Sequence, residues 1–284
     1  VRILLAGRNG QVGYALERAL ALEHELIALD RTGLDLSDLE AIGRALDRAK
    51  PQVVVNAAAY TAVDRAEREP DAVFRINAQA VQALGLAANR AGALVVHYST
   101  DYVFDGEKRA PYTELDEPNP LSVYGASKLA GERLLAASGC RHLILRTSWV
   151  YGPRGRNFLH AILAAARTRP ELRVVNDQRG APTSSLAIAK ATGQLLSSAS
   201  FAAAPGGVYH MSAAGETTWH GFARAIVEAA GLRVPVIAIS SAEYPGAARR
   251  PANSLLDNAK LRATFGVTLA DWREELAGVM RVLH

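Results

Sequence analysis

The segment Val1-Arg-Ile-Leu-Leu-Ala-Gly7-Arg-Asn-Gly10-Gln-Val-Gly13 decides how the rest of the chain is read. Residues 1–6 form an apolar strand, residues 7–13 interrupt it with three spaced glycines, and residues 11–22 carry the periodicity of an amphipathic helix. A strand turning into a helix through glycines places backbone N–H groups and a helix N-terminus at one point, where a dinucleotide pyrophosphate binds. Gly7 allows the tight turn, Gly10 lets the backbone approach the phosphates, and Gly13 permits close packing of helix on strand. Gln11 and Val12 lie in the same turn.

Outward from this segment, strand-like and helix-like stretches alternate. Residues 25–30, 52–56, 93–98 and 142–146 read as further strands, and residues 41–49, 72–91 and 121–137 as the helices between them. The Val-Val-Val centre of the third strand marks a strand buried on both faces. This alternation predicts an α/β fold with a doubly wound, Rossmann-type parallel sheet. Beyond about residue 150 the pattern loosens into loops at 152–155, 177–183 and 205–207, with helices at 158–168, 186–197 and 269–283. The expected division is a dinucleotide-binding domain over 1–150, with later helices packing back on it, and a smaller, mainly substrate-binding C-terminal lobe over 151–284. The alanine-rich patch 199–204 reads as a helix end and loop.

Composition narrows the function classes. The chain has 284 residues, 49% hydrophobic and 21% charged, the profile of an ordinary folded protein. Its 32 basic residues face 28 acidic ones and never run longer than two, so the net charge of +4 describes a mixed surface and predicts no nucleic-acid partner. No apolar run approaches the ~18–20 residues of a membrane helix, so neither a membrane anchor nor a signal peptide is expected. Cys140 is the single cysteine, which allows no internal disulfide and fits a reducing cytoplasm.

The chemistry concentrates at the predicted strand ends. Asp30 closes the second strand about 20 residues beyond the glycines, where a carboxylate accepts hydrogen bonds from the adenosine ribose. Arg31 follows it and offers a guanidinium to the extra phosphate of NADPH, so both NADH and NADPH are expected to bind. Tyr124 and Lys128 stand four apart and share one helix face. A nearby ammonium that lowers a phenol's pKa from about 10 makes it a better proton donor and acceptor near neutrality. Ser99 and Thr100 end the fourth strand at the sheet's carboxyl edge, where the Thr100 hydroxyl can orient a substrate oxygen toward Tyr124.

The glycine loop, the segments from Asn56 to Asp64 and from Ser99 to Gly106, and Tyr124-Gly-Ala-Ser-Lys128 resemble the extended short-chain dehydrogenases. The segments from Arg146 to Gly152, Asn176 to Thr183, Thr217 to His220 and Arg250 to Ser254 narrow the resemblance to the dTDP-4-dehydrorhamnose reductase family, and it runs nearly end to end. The resemblance implies Thr100, Tyr124 and Lys128 as the catalytic set, with Asp101 and Trp149 near the sugar. It also implies cofactor contacts at Gly10, Gln11, Val12, Asp30, Asp35, Leu36, Ala59, Tyr60 and Thr61. The implied reaction is NAD(P)H-dependent reduction of a 4-keto-6-deoxysugar nucleotide, by a monomer or homodimer. Some family members join two subunits through Mg²⁺ on carboxylates of the first helix and of the helix after the Ala-Pro-Thr segment. Here Ala15 and Leu186 stand on those helices and residues 184–191 contain no acid, so no metal site is expected. Three alternatives stand beside the reductase. A sugar-nucleotide dehydratase is disfavoured because Asp101 is followed by Tyr102 rather than an acid. An epimerase with retained NAD needs only the tyrosine. A partner-binding subunit similar to that of methionine adenosyltransferase has no need of the intact Thr100, Tyr124 and Lys128.

Overall fold

The computed structural model describes the chain except residues 199–200, 202–204, 245 and 284. The alanine-rich patch, Phe201 apart, thus lies outside the described residues. Strand β1 (Arg2–Ala6) leads into α1 (Gln11–Leu20), β2 (Glu25–Leu29) into α2 (Leu39–Ala49), and β3 (Val53–Asn56) follows. The stretch expected as one helix over 72–91 is instead α4 (Pro70–Phe74), a π turn over Arg75–Gln79, and α5 (Ala80–Ala91), preceded by the short α3 (Val63–Ala66). Next come β4 (Leu94–Thr100), α6 (Val123–Ala137) and β5 (His142–Thr147). The remainder of the first crossing of the lobe is β6 (Val150–Tyr151), α7 (Phe158–Ala166), β7 (Leu172–Val175), β8 (Arg179–Gly180), β9 (Thr183–Ser184) and α8 (Ser185–Ser197). The chain then continues through β10 (Gly207–His210), β11 (Thr217–Thr218), α9 (Trp219–Ala229), β12 (Val236–Ile239), α10 (Ala259–Phe265) and α11 (Trp272–Leu283).

The main sheet has the order β2-β1-β3-β4-β5-β10, with every pairing parallel. The chain steps from β1 outward to β2 and then recrosses to β3, so the winding reverses between β1 and β3, the place where such sheets bind ligands. Ala6 is in register with Leu29 on one side and Asn56 on the other, so three strands finish level. Because Asn56 pairs with His97, β4 runs on past them to Thr100.

Alternation along β1 divides the core. Ile3 and Leu5 face Leu16 of α1 and Ile188 and Leu195 of α8, while Leu4 faces Leu46, Leu84 and Leu135 from α2, α5 and α6. Helix α8 therefore returns to cover the sheet, and α10 adds Leu261 and Phe265 to the same face. Strand β10 also returns, as the sixth strand on the edge of β5. A separate core built on Tyr151, Leu159, Phe222, Ile226, Trp272 and Met280 holds the lobe.

Candidate active site

The first loop is fastened by its own backbone. The N–H groups of Gly7 and Arg8 both donate to the Leu29 carbonyl, at 2.9 and 3.1 Å, which ties the loop to the end of β2. Gly7 has φ +86°, a left-handed conformation that glycine adopts without penalty. A Cβ there would strike Ala58 in the loop after β3, and a Cβ on Gly13 would strike the Gly7 carbonyl. These contacts leave a groove of bare backbone at the start of α1, whose N-cap, Gly10, supplies no side-chain cap. That cradle fits a diphosphate.

Asp30 accepts at one oxygen from the Thr32 N–H (2.9 Å), the Thr32 hydroxyl (2.6 Å) and the Gly33 N–H (3.1 Å), and at the other from the Asn9 amide (3.2 Å). These bonds, the Thr32 hydroxyl foremost, hold its carboxyl below the usual range. Arg31 projects into solvent and pairs with Asp35 at 3.3 Å; Asp35 in turn accepts from the Ser37 N–H and hydroxyl. Leu36 is 5% exposed and turns its side chain into the core. Val12 packs on the opposite core, and Gln11 accepts from Asn157 at 2.8 Å. Asn157 also caps α7, so its side chain serves the helix and this tie. After β3, the Tyr60 N–H donates to Asn77 (2.8 Å), and the Asn77 amide donates back to the Tyr60 carbonyl and to Ser127, each at 3.0 Å. The π turn thus delivers Asn77 as a clamp between the loop carrying Ala59, Tyr60 and Thr61 and helix α6.

Helix α6 begins where Ser122 accepts from the Gly125 N–H (3.2 Å) and Glu67 accepts from the Val123 N–H (2.9 Å). Gly125 has no Cβ to hold the helix away from the Tyr102 carbonyl, and the Tyr102 and Tyr124 rings meet edge to face at 5.6 Å. Tyr124 is partly exposed at the mouth of this corner, where the Thr100 hydroxyl favours its ionised form and burial opposes it. Thr100 also donates to Asp101 at 3.2 Å. Asp101 is 2% exposed, and burial pushes its carboxyl up to about 7 against the hydroxyls of Ser254 and Thr100.

Lys128, also 2% exposed, donates to the Tyr98 carbonyl at 2.7 Å and lies 3.1 Å from His97 Nε2. Burial brings its ammonium down to about 8 and pushes the Tyr124 phenol up to about 12. This corrects the expectation that the lysine depresses the phenol. The nitrogen is turned toward β4, and loss of water outweighs any pull on the tyrosine. A phenol at that value is protonated at neutral pH.

Trp149 follows β5 with φ +49°, a strained conformation for a tryptophan. Its ring stacks on Trp219 at 3.7 Å and 10°, and it lies against Gly180, where a Cβ would collide with it. Trp219 is held in turn by a bond from its indole N–H to Gln178 at 3.1 Å. The loop before Ser254 closes over the corner through Arg250, which meets Asp64 at 2.7 Å. Its guanidinium is thus engaged by a carboxylate. The sequence motifs take in Trp219, within Thr217 to His220, but neither His97 nor Asn77. The available signal for His97 was one ionisable residue inside a strand otherwise buried and apolar up to Tyr98.

A backbone cradle for a dinucleotide beside a tyrosine, lysine and threonine at adjoining strand ends defines the extended short-chain dehydrogenase class. Within that class the comparisons are specific. The family model described as RmlD substrate binding domain matches residues 1–284. A dTDP-4-dehydrorhamnose reductase of Burkholderia thailandensis is 48% identical, with 96% of each chain covered. The enzyme of the same name from Escherichia coli K12 is 43% identical over 100% of this chain and 97% of its own. The crystal structure of dTDP-4-dehydrorhamnose reductase from Bacillus anthracis in complex with NADP superposes with a TM-score of 0.94, at 33% identity and 99% coverage of both chains. The chain belongs to the dTDP-4-dehydrorhamnose reductase family.

Proposed function

We propose that this protein reduces the C4 ketone of dTDP-4-dehydro-6-deoxy-L-mannose to give dTDP-L-rhamnose, using NADPH or NADH. The observation that carries the reading is the corner where the end of β4 at Thr100 and the start of α6 come together, with Tyr124 one helical turn from Lys128 and the glycine cradle at the end of β1 in the same sheet. The names of the relatives supply the substrate. Residues 1–150 hold the cofactor, through the backbone at Gly7, Gly10 and Gly13 and through Asp30 and Arg31 at the ribose end. Residues 151–284 mainly hold the sugar nucleotide, and the protein works in the cytoplasm as a monomer or homodimer.

The reduced nicotinamide supplies the hydride. Thr100 orients the ketone oxygen toward Tyr124, and the phenol, held protonated by its surroundings, gives its proton to that oxygen as negative charge develops. Lys128 stabilises the phenolate left behind. Trp149, fixed flat by Trp219, bounds the sugar, and the buried Asp101 holds Thr100 in place. Among the described residues no three metal-ligating side chains gather, and the proposed proton chemistry uses protein groups alone.

The test follows nicotinamide absorbance with purified protein and dTDP-4-keto-6-deoxy-L-mannose, NADPH against NADH, with and without EDTA. Oxidation matched by dTDP-rhamnose formation is the expected result. Demonstrated cofactor binding with no oxidation would overturn the reading.

A further inference from the structure

Asn56, His97 and Lys128 make a buried line from the end of β3, across β4, to α6, with exposures of 1%, 0% and 2%. Asn56 Oδ1 accepts the Ala58 N–H at 3.2 Å, which leaves Nδ2 facing His97 Nδ1 at 3.1 Å. A neutral imidazole has one N–H and one lone pair. Burial and the neighbouring lysine hold His97 well below its ordinary value, so the ring is neutral. With Nδ1 accepting from Asn56, the proton sits on Nε2 and points at Lys128 Nζ, 3.1 Å away. An imidazole N–H and an ammonium are both donors, so this arrangement is satisfied only when Lys128 is an amine.

The charged lysine requires the other arrangement. It donates to Nε2, the ring proton moves to Nδ1, and Asn56 must turn its oxygen to the ring and its NH₂ onto the Ala58 N–H. Each protonation form of Lys128 therefore costs something elsewhere in the line: a buried amine in one, two opposed donors in the other. The remaining neighbours leave this balance in place. Glu132, one turn further along α6, favours the ammonium, but its carboxylate is committed to Arg146 at 2.9 and 2.6 Å. Tyr124 lies one turn back, and β4 otherwise offers only the Tyr98 carbonyl.

We propose that Asn56 and His97 are positioning residues that set the charge of Lys128 one turn from Tyr124, the His97 proton shifting from Nδ1 to Nε2 as the lysine loses its charge. The assignment rests on the reduction proposed above. When the phenol gives its proton to the developing alkoxide, a charged Lys128 one turn away favours the phenolate left behind. As an amine, Lys128 offers the phenolate no such charge. A lysine brought down to about 8 by burial suits the task, since both forms are accessible near neutrality.

The test is ¹⁵N NMR of the His97 ring nitrogens in the whole protein, assigned by comparison with His97→Gln, from about pH 6 to about pH 10. The ring should remain neutral and exchange its proton from Nδ1 to Nε2 around the lysine's titration. In Asn56→Asp one carboxylate oxygen takes the Ala58 N–H and the other takes Nδ1–H. The tautomer should then be locked, and the alkaline limb of the kcat profile should move up by about one pH unit, with KM little changed. A tautomer that never changes with pH in the native chain, or an Asn56→Asp profile superimposable on the native one, would overturn the assignment. If Asn56→Asp does not fold, the titration of the native chain decides alone. Tautomer exchange without turnover would remove the reduction reading and leave the coupling standing.

Discussion

In the proposed reaction the Tyr124 phenol is the group that gives its proton to substrate, and burial keeps it protonated. Tyr124→Phe should cut kcat by about 10²–10⁴-fold and leave the Kd for NADPH nearly unchanged, since the change removes a proton donor and little contact area. Stopped-flow turnover beside fluorescence titration checks both halves. In the proposed reaction the pH dependence belongs to Lys128: with its ammonium at about 8, the positive charge that favours the phenolate is lost as pH rises through that value, while a phenol at about 12 imposes no limit below it. Initial rates at saturating cofactor should therefore decline on the alkaline side. At this scale the sequence was informative where chemistry and periodicity coincide, as with Tyr124 and Lys128 four apart. It was silent on His97, because nothing in a strand's composition tells whether an inward imidazole meets a lysine or an apolar neighbour.

Elements position these residues, and two of the positioning contacts can be tested. Trp219→Ala would remove the platform under Trp149, whose left-handed backbone then loses its support; KM for the sugar nucleotide should rise at least about tenfold while cofactor affinity holds. On α11, Glu275 accepts the Ser184 N–H at 2.7 Å where α8 begins, but its other oxygen has no partner, and burial pushes the carboxyl up to about 7. The folded chain thus binds this proton more tightly than the unfolded chain, whose glutamate titrates near 4.5. Stability is lost as pH rises from there toward 7. Glu275→Gln should be more stable than the native chain by about 1–3 kcal/mol at alkaline pH and nearly equal to it in acid, as read by urea unfolding. Five strands were legible because short apolar runs alternate with amphipathic ones. The π turn was not, since residues 72–91 read as one continuous helical stretch and only the packing of Asn77 between Tyr60 and Ser127 shows why an extra residue is accommodated there.

At the scale of the molecule, the two halves meet over the reacting corner, and Arg250 with Asp64 is one fastening between them. Asp64→Ala should leave cofactor binding intact and reduce kcat/KM for the sugar nucleotide several-fold, because the loop before Ser254 loses its anchor while the partly exposed pair contributes modestly to stability. Kinetics beside a thermal melt would separate these effects. The overall sheet was legible from strand and helix alternation. Its sixth strand was not, because β10 is four residues long and its place on β5 depends on partners more than sixty residues earlier.

That late strand bears on how the chain matures during synthesis. Until residues 207–210 have left the ribosome, β5 presents an open edge of parallel backbone, and α8 has only just become available to cover the face beside α1. An open edge next to bare apolar surface invites pairing with other nascent chains. A fragment halted after β5 would present that same edge, so the parallel sheet is complete only once residues 207–210 have joined it.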